Sequence, residues 1–496
     1  MERLPRERGP AVAVECLPCG WGPAVAVGCL LCGWSAYREV VDDDVLARAA
    51  RIAADWLESL DVRPVGETAG LEELRERLGG PLPDGPVDPL TVVEELAAAA
   101  DPGLIGSPGG RYFGFVIGGG LPAAVAADWL TTVWDQNAGL YACSPAASVA
   151  EEVAGEWLRE LFRLPAGSSY AFVPGCQSAH LTCLAAARHH VLRRAGWNVE
   201  ERGLAGAPAV RIVVSARRHT TIDRALRLLG FGTASLTVVP ADAAGRMDVA
   251  ALRNALHTGG PAIVCAQAGE VNTGAFDDLS AIADATSAAG AWLHVDGAFG
   301  LWVLASPRLR HLAAGAERAD SWATDAHKWL NVPYDSGIAF CAHPEPHRAA
   351  VSTTADYLVQ SGPDGPRDQI DWTPGFSRRA RAFPVYAALR SLGRRGVADL
   401  VERCCGHART FAAGLADVPG CEVLGKVVIN QVLFRFGDDD TTDRVLRHVV
   451  DSGEAWLSGT MAGGRRAIRL SVCNWRTSAD DIERTLTAFR RAVAAT

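Results

Sequence analysis

From Asp42 the chain reads as a helix: in DDDVLARAARIAADWLESLDV apolar residues recur every three or four positions behind an acidic start. PVDPLTVVEELAAAAD repeats that period after a Pro/Gly-rich link, and AAVAADWLTTVWDQNAGL repeats it beyond RYFGFVIGGGLP. From about Ser169 short β-branched runs alternate with helical periods. SYAFV precedes HLTCLAAARHHVLRRAG, VRIVVS precedes TTIDRALRLLG, and AIVCAQA precedes DLSAIADATSAAG; AWLHVD and GIAFCA continue the series. Such alternation predicts a mostly parallel sheet with helices on both faces, a doubly wound α/β domain. After RRARAFPVYAALRSLGRRG the register changes, and INQVLFRF, AIRLSVCNW and SADDIERTLTAFRRAVA read as a smaller C-terminal α+β domain. The expected division is a leader over 1–37, a helical segment over 38–118, a large domain over 119–384 and a small domain over 385–496.

Composition narrows the partners. A chain of 496 residues exceeds one compact core. Its formal net charge of -9, with no basic run interleaved with aromatics, argues against nucleic acid. No apolar run is long enough to span a bilayer. Thirteen cysteines scattered without a compact framework fit a reducing cytoplasm. The leader stands apart: GPAVAVECLPCGW is followed at once by GPAVAVGCLLCGW, placing Cys16, Cys19, Cys29 and Cys32 in two C-x-x-C pairs. That is a zinc pattern on paper, and Arg3, Arg6 and Arg8 weakly imitate a targeting signal. With no hydrophobic periodicity around them, the residues are expected to be a disordered or mis-started leader, and no metal is expected.

Doubly wound sheets bind ligands beyond the carboxyl ends of their strands, so the residues just after each strand carry the candidate chemistry. After SYAFV comes PGCQSAH, a glycine turn into a helix whose first amides and Ser178 hydroxyl can hold an anion. After VRIVVS comes His219, ahead of a helix in which Thr220 and Asp223 are the expected capping pair. After AWLHV comes Asp296, beside the small residues Gly297 and Ala298. In SWATDAHKWLNVPY, His327 and Lys328 sit in an apolar frame. Singly, each has an ordinary reading: a βα loop, a solvated cap, a helix-cap aspartate, a lysine reaching to solvent. Together an anion turn, an aromatic stacker, a buried carboxylate and a lysine match one ligand, pyridoxal 5′-phosphate. Burial and a neighbouring cation are expected to keep Lys328 neutral and nucleophilic.

On these residues the chain resembles the group II pyridoxal-phosphate decarboxylases, which include aromatic-amino-acid, glutamate, tyrosine and diaminobutyrate decarboxylases. HVDGAFG is similar to their H-V-D-A-A-[YF] motif, DAHKWL to [ND]-x-H-K-[WM], and HTTIDRALRLLG to H-[SY]-[SA]-[VI]-x-[KR]-A, while GCQSAH stands at their phosphate turn. The likeness runs from roughly Val40 to the C-terminus. It implies fold type I, a homodimer with shared active sites, and decarboxylation of an L-amino acid, aromatic or apolar by preference, through a Schiff base with Lys328. By motif position Asp296 would face the pyridine nitrogen, His219 would stack on the ring and Ala298 would pack on the other face. Gln177, Ser178 and His327 would hold the phosphate, with Asn272 also at the cofactor. Phe115, Val116 and Ile117 would line the substrate pocket.

Two departures bear on the reaction. Cys176 and Gln177 replace the usual small residues of the phosphate turn, where backbone amides do most of the binding. The family's mobile loop carries a tyrosine that returns a proton after carbon dioxide leaves. Alignment on Trp372 and Arg378–Arg379 puts Gln369 at that place, with Tyr357 upstream. Without that tyrosine, His219 would supply the proton, or oxygen would react and yield an aldehyde by oxidative deamination. Another carbon–carbon lyase or an aminotransferase reaction is the remaining alternative, with Arg469 as a possible carboxylate clamp.

Overall fold

The structure, a computed structural model, describes residues 42–362 and 365–496. The cysteine pairs of the leader lie outside the described residues. Contacts divide the described chain into two units, 42–54 with 80–98, and 55–79 with 99–496. In the first, Arg48 Nε donates to Glu94 Oε1 at 2.6 Å. The second holds both sheets.

Seven strands form the large sheet: β1 (Ser169–Val173), β2 (Arg211–Ser215), β3 (Leu236–Val239), β4 (Ala262–Gln267), β5 (Trp292–Asp296), β6 (Ser321–Asp325) and β7 (Gly337–Cys341). They lie in the order β1-β7-β6-β5-β4-β2-β3. β7 runs antiparallel to both β1 and β6, and the other pairs are parallel. The alternation of side chains along each strand separates two cores. Ile212, Val214, Ile263, Cys265 and Trp292 belong to one cluster, and Val213, Val264, Leu293 and Val295 to the other. Four tryptophans, Trp292, Trp302, Trp322 and Trp329, are fully buried in this domain. Such side chains dominate core energetics.

Five of these strands follow the predicted runs. β3 and β6 do not announce themselves: β3 is a half-exposed edge, and SWATD mixes polar and apolar residues although every one of its side chains is buried. Between β5 and β6 the chain crosses in three short 3₁₀ turns, Gly300–Ala305, Arg310–Ala313 and Ala316–Arg318. A second correction concerns the helix Thr220–Leu228. His219 itself is its N-cap, accepting from Thr221 N, and Asp223 pairs instead with Arg218 at 2.5 Å.

The small sheet, β8 (Cys421–Val423), β9 (Gln431–Phe436), β10 (Ser458–Ala462) and β11 (Arg465–Ser471), is antiparallel in the order β10-β11-β9-β8. The helix Ala382–Gly414 leads to it. This helix runs through the expected boundary at 384–385 and is interrupted at Gly393, whose φ of 60° favours glycine.

Candidate active site

Lys328 follows β6 by three residues, and the carboxylate that meets it belongs to the last residue of that strand. Asp325 Oδ2 lies 3.0 Å from Lys328 Nζ, with the aspartate side chain 3% exposed and the lysine 19%. Asp325 Oδ1 accepts from Cys176 N at 2.6 Å, which ties the lysine segment to the glycine turn after β1. Burial alone would lower the Lys328 pKa. The adjacent Asp325 carboxylate, with smaller contributions from Cys176 and Asp296, outweighs burial and raises it. This corrects the expectation of a neutral amine: the close neighbour is an anion, so the free lysine is held as an ammonium. Asp325 in turn stays ionised below the ordinary range, burial being overcome by Lys328 and His327. The chain contains only one other lysine, the exposed Lys426.

Three glycines let backbone close on this segment. A Cβ on Gly118 would stand 2.0 Å from Lys328 O, and one on Gly337 would stand 2.5 Å from Gly175 Cα. Gly118 N donates to His327 O at 3.2 Å, Gly119 N to Asn331 Oδ1 at 2.7 Å, and Leu121 N to Asn331 O at 2.8 Å. The run IGGGLP is therefore a strap seated on the lysine loop. At the phosphate turn, a Cβ on Gly175 would lie 3.1 Å from His327 Cε1, so His327 flanks the start of the helix Cys176–Arg194. His327 stacks on Tyr334 with centroids 4.3 Å apart, and its Nδ1 accepts from Ser336 N at 3.1 Å. That bond leaves Nε2 to carry the hydrogen. Burial lowers the His327 pKa despite Asp325. Gln177 and Ser178 are half-buried in the first turn of that helix, and Gln177 Nε2 donates to Thr221 O at 3.3 Å.

Asp296 ends β5 opposite Ala323 of β6. It is 6% exposed, and its Oδ1 accepts from Ala298 N at 3.1 Å. Ala298 is half-buried beside it, and His219 is exposed at the end of β2. Asn272 is engaged elsewhere: its side chain donates to Glu270 Oε1 at 3.3 Å and accepts from Thr460 Oγ1 at 3.0 Å. Of the pocket residues, Phe115 is 58% exposed and rests on Trp456, with centroids 5.2 Å apart. Ile117 is half-buried, whereas Val116 is 1% exposed and packs in the main core. The expectation for Val116 is corrected: positive φ at Phe115 (49°) and Val116 (60°) turns that side chain inward. Arg469 is 8% exposed and donates to Val271 O at 3.3 Å.

Gln369 is packed inside the fold. It is 0% exposed, with Nε2 donating to Ser148 Oγ at 3.2 Å, so its side chain is part of the packed structure. Tyr357 is 78% exposed on the segment after the helix Pro344–Val351.

Sequence reasoning missed Asp325, His180 and His294. His180 and His294 are fully buried, with His180 Nδ1 and His294 Nε2 2.9 Å apart, and His180 Nε2 lies 3.6 Å from Asp296 Oδ2. The ligand atoms of Cys176, His180 and Asp296 lie within 4.8 Å of one another, close enough to share a cation; His180 Nδ1 is already committed to His294. A readable signal existed for His294: in WLHVD, period two puts Trp292, His294 and Asp296 on one face.

These groups fit pyridoxal phosphate. A helix start with its first-turn amides and a flanking imidazole suits the phosphate. A buried carboxylate with one oxygen lacking a partner within hydrogen-bond distance suits a protonated ring nitrogen, and a lysine tied to the phosphate turn through Asp325 suits the aldehyde.

Comparison with known proteins agrees. The sequence profile described as the pyridoxal-dependent decarboxylase conserved domain matches residues 88–437. Tryptophan decarboxylase 1 of Oryza sativa subsp. japonica is 26% identical over 87% of this chain and 90% of its own length. The L-2,4-diaminobutyrate decarboxylase of Rhizobium meliloti (strain 1021) is 30% identical over 74% of each chain. Phenylacetaldehyde synthase of a Rosa hybrid cultivar is 25% identical over 84% of this chain and 87% of its own. The crystal structure of Oryza sativa TDC with PLP and tryptamine superposes with a TM-score of 0.86, covering 92% of this chain and 99% of that one at 24% identity.

Proposed function

The chain belongs to the pyridoxal-dependent decarboxylase family and is a pyridoxal-phosphate-dependent amino acid decarboxylase of fold type I. From that premise we propose that it converts an L-amino acid with an aromatic or apolar side chain to the amine and carbon dioxide, with Lys328 as the residue that bonds the cofactor. The observation that carries the reading is the pairing of a largely buried Lys328 with Asp325 at 3.0 Å, on the strand beside the one that ends in Asp296. When bound, pyridoxal phosphate supplies an electron sink for the pair released at Cα. Asp296 would hold a proton on the ring nitrogen, Ala298 and His219 would flank the ring, and Gln177, Ser178 and His327 would take the phosphate. Asn272 is no longer assigned to the cofactor, since Glu270 and Thr460 occupy its side chain.

The side-chain preference rests on an aromatic wall: Tyr112 stacks on Trp456 with centroids 5.0 Å apart, and Phe115 leans on the same indole while remaining exposed. A homodimer is supported by the helix Pro122–Trp134, which exposes Trp129, Leu130, Val133 and Trp134. No described helix is long and apolar enough to cross a membrane. A second reading, decarboxylation with oxidative deamination, is favoured by the similarity to a phenylacetaldehyde synthase.

The test mixes purified holoenzyme with the common L-amino acids and identifies the products. Equimolar amine and carbon dioxide from an aromatic or apolar substrate is the expected result. Aldehyde, ammonia and hydrogen peroxide would establish the second reading, and turnover confined to acidic or basic amino acids would overturn the substrate class.

A further inference from the structure

Behind Asp296 lies a line of buried polar groups in direct contact with one another. β5 supplies Trp292, His294 and Asp296 on one face, while Leu293 and Val295 of the same strand enter the opposite core. The helix Cys176–Arg194 covers that face and contributes His180, and β6 contributes Ser321 directly opposite His294. Trp292 Nε1 lies 2.9 Å from Ser321 Oγ, Ser321 Oγ lies 2.9 Å from His294 Nδ1, and His294 Nε2 lies 2.9 Å from His180 Nδ1. The line ends where His180 Nε2 faces Asp296 Oδ2 at 3.6 Å. Ser321, His294 and His180 are each 0% exposed.

The chemistry of the groups gives the line a direction. An indole N–H only donates, so Ser321 Oγ accepts from Trp292 and is free to donate to His294 Nδ1. His294 then donates from Nε2 to His180 Nδ1, and His180 Nε2 carries its hydrogen toward Asp296. The opposite order, with the Ser321 hydrogen turned to Cys183, would set the Nε2 lone pair of His180 against the carboxylate. His180 Nε2 is buried with no partner at hydrogen-bond distance, so Asp296 is the acceptor within its reach. We propose that His180 and His294 are positioning residues that hold Asp296 as a carboxylate aimed at the ring nitrogen of the cofactor, their tautomers set by Ser321 and Trp292. The inference rests on the role proposed above for Asp296.

Burial supports neutrality at both rings. It lowers the His180 pKa against the opposing carboxylates of Asp296 and Asp325, and it drives His294 well below the ordinary range with His180 adding to the effect. The other titratable groups around His180 are His219 and Lys328, and both oppose its protonation. Neutral imidazoles fix the hydrogens in one order. A cationic His180 would instead compete with the ring nitrogen for the same carboxylate.

The test measures binding of two ligands to stripped enzyme: pyridoxal phosphate, and its analogue with CH in place of the ring nitrogen. The analogue offers Asp296 no proton, so the line should matter only to the first ligand. His180→Leu should weaken pyridoxal phosphate binding by about 10- to 100-fold, the worth of a hydrogen bond to a charged group, and change analogue binding less than about threefold. His180→Gln keeps an N–H and should restore most of the loss. If His180→Leu does not fold, Ser321→Ala carries the test, because it frees the tautomers without touching the cofactor; a loss of about three- to tenfold for pyridoxal phosphate alone is expected, less than one direct hydrogen bond to a charge. Equal weakening of both ligands would show a merely structural role and overturn the proposal, as would no weakening of either. Failure of the wild-type protein to bond the cofactor at Lys328 would instead overturn the reading of the site.

Discussion

Replacing Asp325 by asparagine removes one charge while leaving an oxygen to accept from Cys176 N, now bonded at 2.6 Å. The lost attraction can be sized from the 3.0 Å separation of Asp325 Oδ2 and Lys328 Nζ. At an effective dielectric constant near 20 it is about 5 kcal/mol, an upper bound. In the native protein this attraction outweighs burial and raises the lysine pKa; without it, burial acts unopposed and the pKa falls below the ordinary lysine range. Loss of one partner from a buried pair costs ~3–5 kcal/mol when the other must stay charged. Lys328 can release its proton, so the stability loss should fall at or below the lower end of that range. The assay is the rate at which stripped protein takes up pyridoxal phosphate between pH 6 and 9, followed by absorbance. The wild-type rate should climb with pH across the range, as the neutral amine becomes available. Asp325→Asn should react faster at the acidic end and level off early. Superimposed profiles, or a variant shifted toward higher pH, would refute the electrostatic account of Lys328.

Other expectations follow from packing and burial. Gly118→Ala would force a methyl to within 2.0 Å of Lys328 O, so cofactor affinity should fall by at least tenfold with the fold retained by circular dichroism; unchanged affinity would show that the strap is not seated as described. Arg378→Met would strand Glu151, which is 1% exposed and paired at 2.8 Å, and should cost ~3–5 kcal/mol in urea unfolding; a cost under 1 kcal/mol would contradict the burial of that pair. His347, 1% exposed, bridges Ser169 Oγ and Trp372 O at 2.8 Å each, and burial lowers its pKa to about 3. The unfolded chain binds that proton near pH 6.5 and the folded chain does not, so stability is intact above pH 6.5 and falls as pH drops toward 3, by up to ~5 kcal/mol. His347→Gln should flatten this slope, and an unchanged slope would remove His347 as its source.

The strands β1, β2, β4, β5 and β7 are readable in the sequence because hydrophobic period reports burial, and strand ends gather at one rim whatever their order in the chain. That is why Asp296, Lys328 and the Gly175 turn could be associated. Partners are less legible. Asp325 sits three residues before Lys328, but only the strand end reveals that the aspartate turns toward the amine and reverses its expected ionisation. His180 gives no sign of its role until β5 and β6 lie beneath it. Val116 fails for a related reason: a residue type does not state which way a side chain points, and backbone torsion at Val116 decides it.

The central claim is that Lys328 bonds the cofactor. Reduction of the holoenzyme with borohydride, followed by proteolysis and mass spectrometry, tests it cleanly, since the chain has two lysines. The account predicts a reduced pyridoxyl adduct on the peptide containing Lys328 and none on the peptide containing Lys426. An adduct on Lys426, or cofactor released with both lysines unmodified, would contradict it.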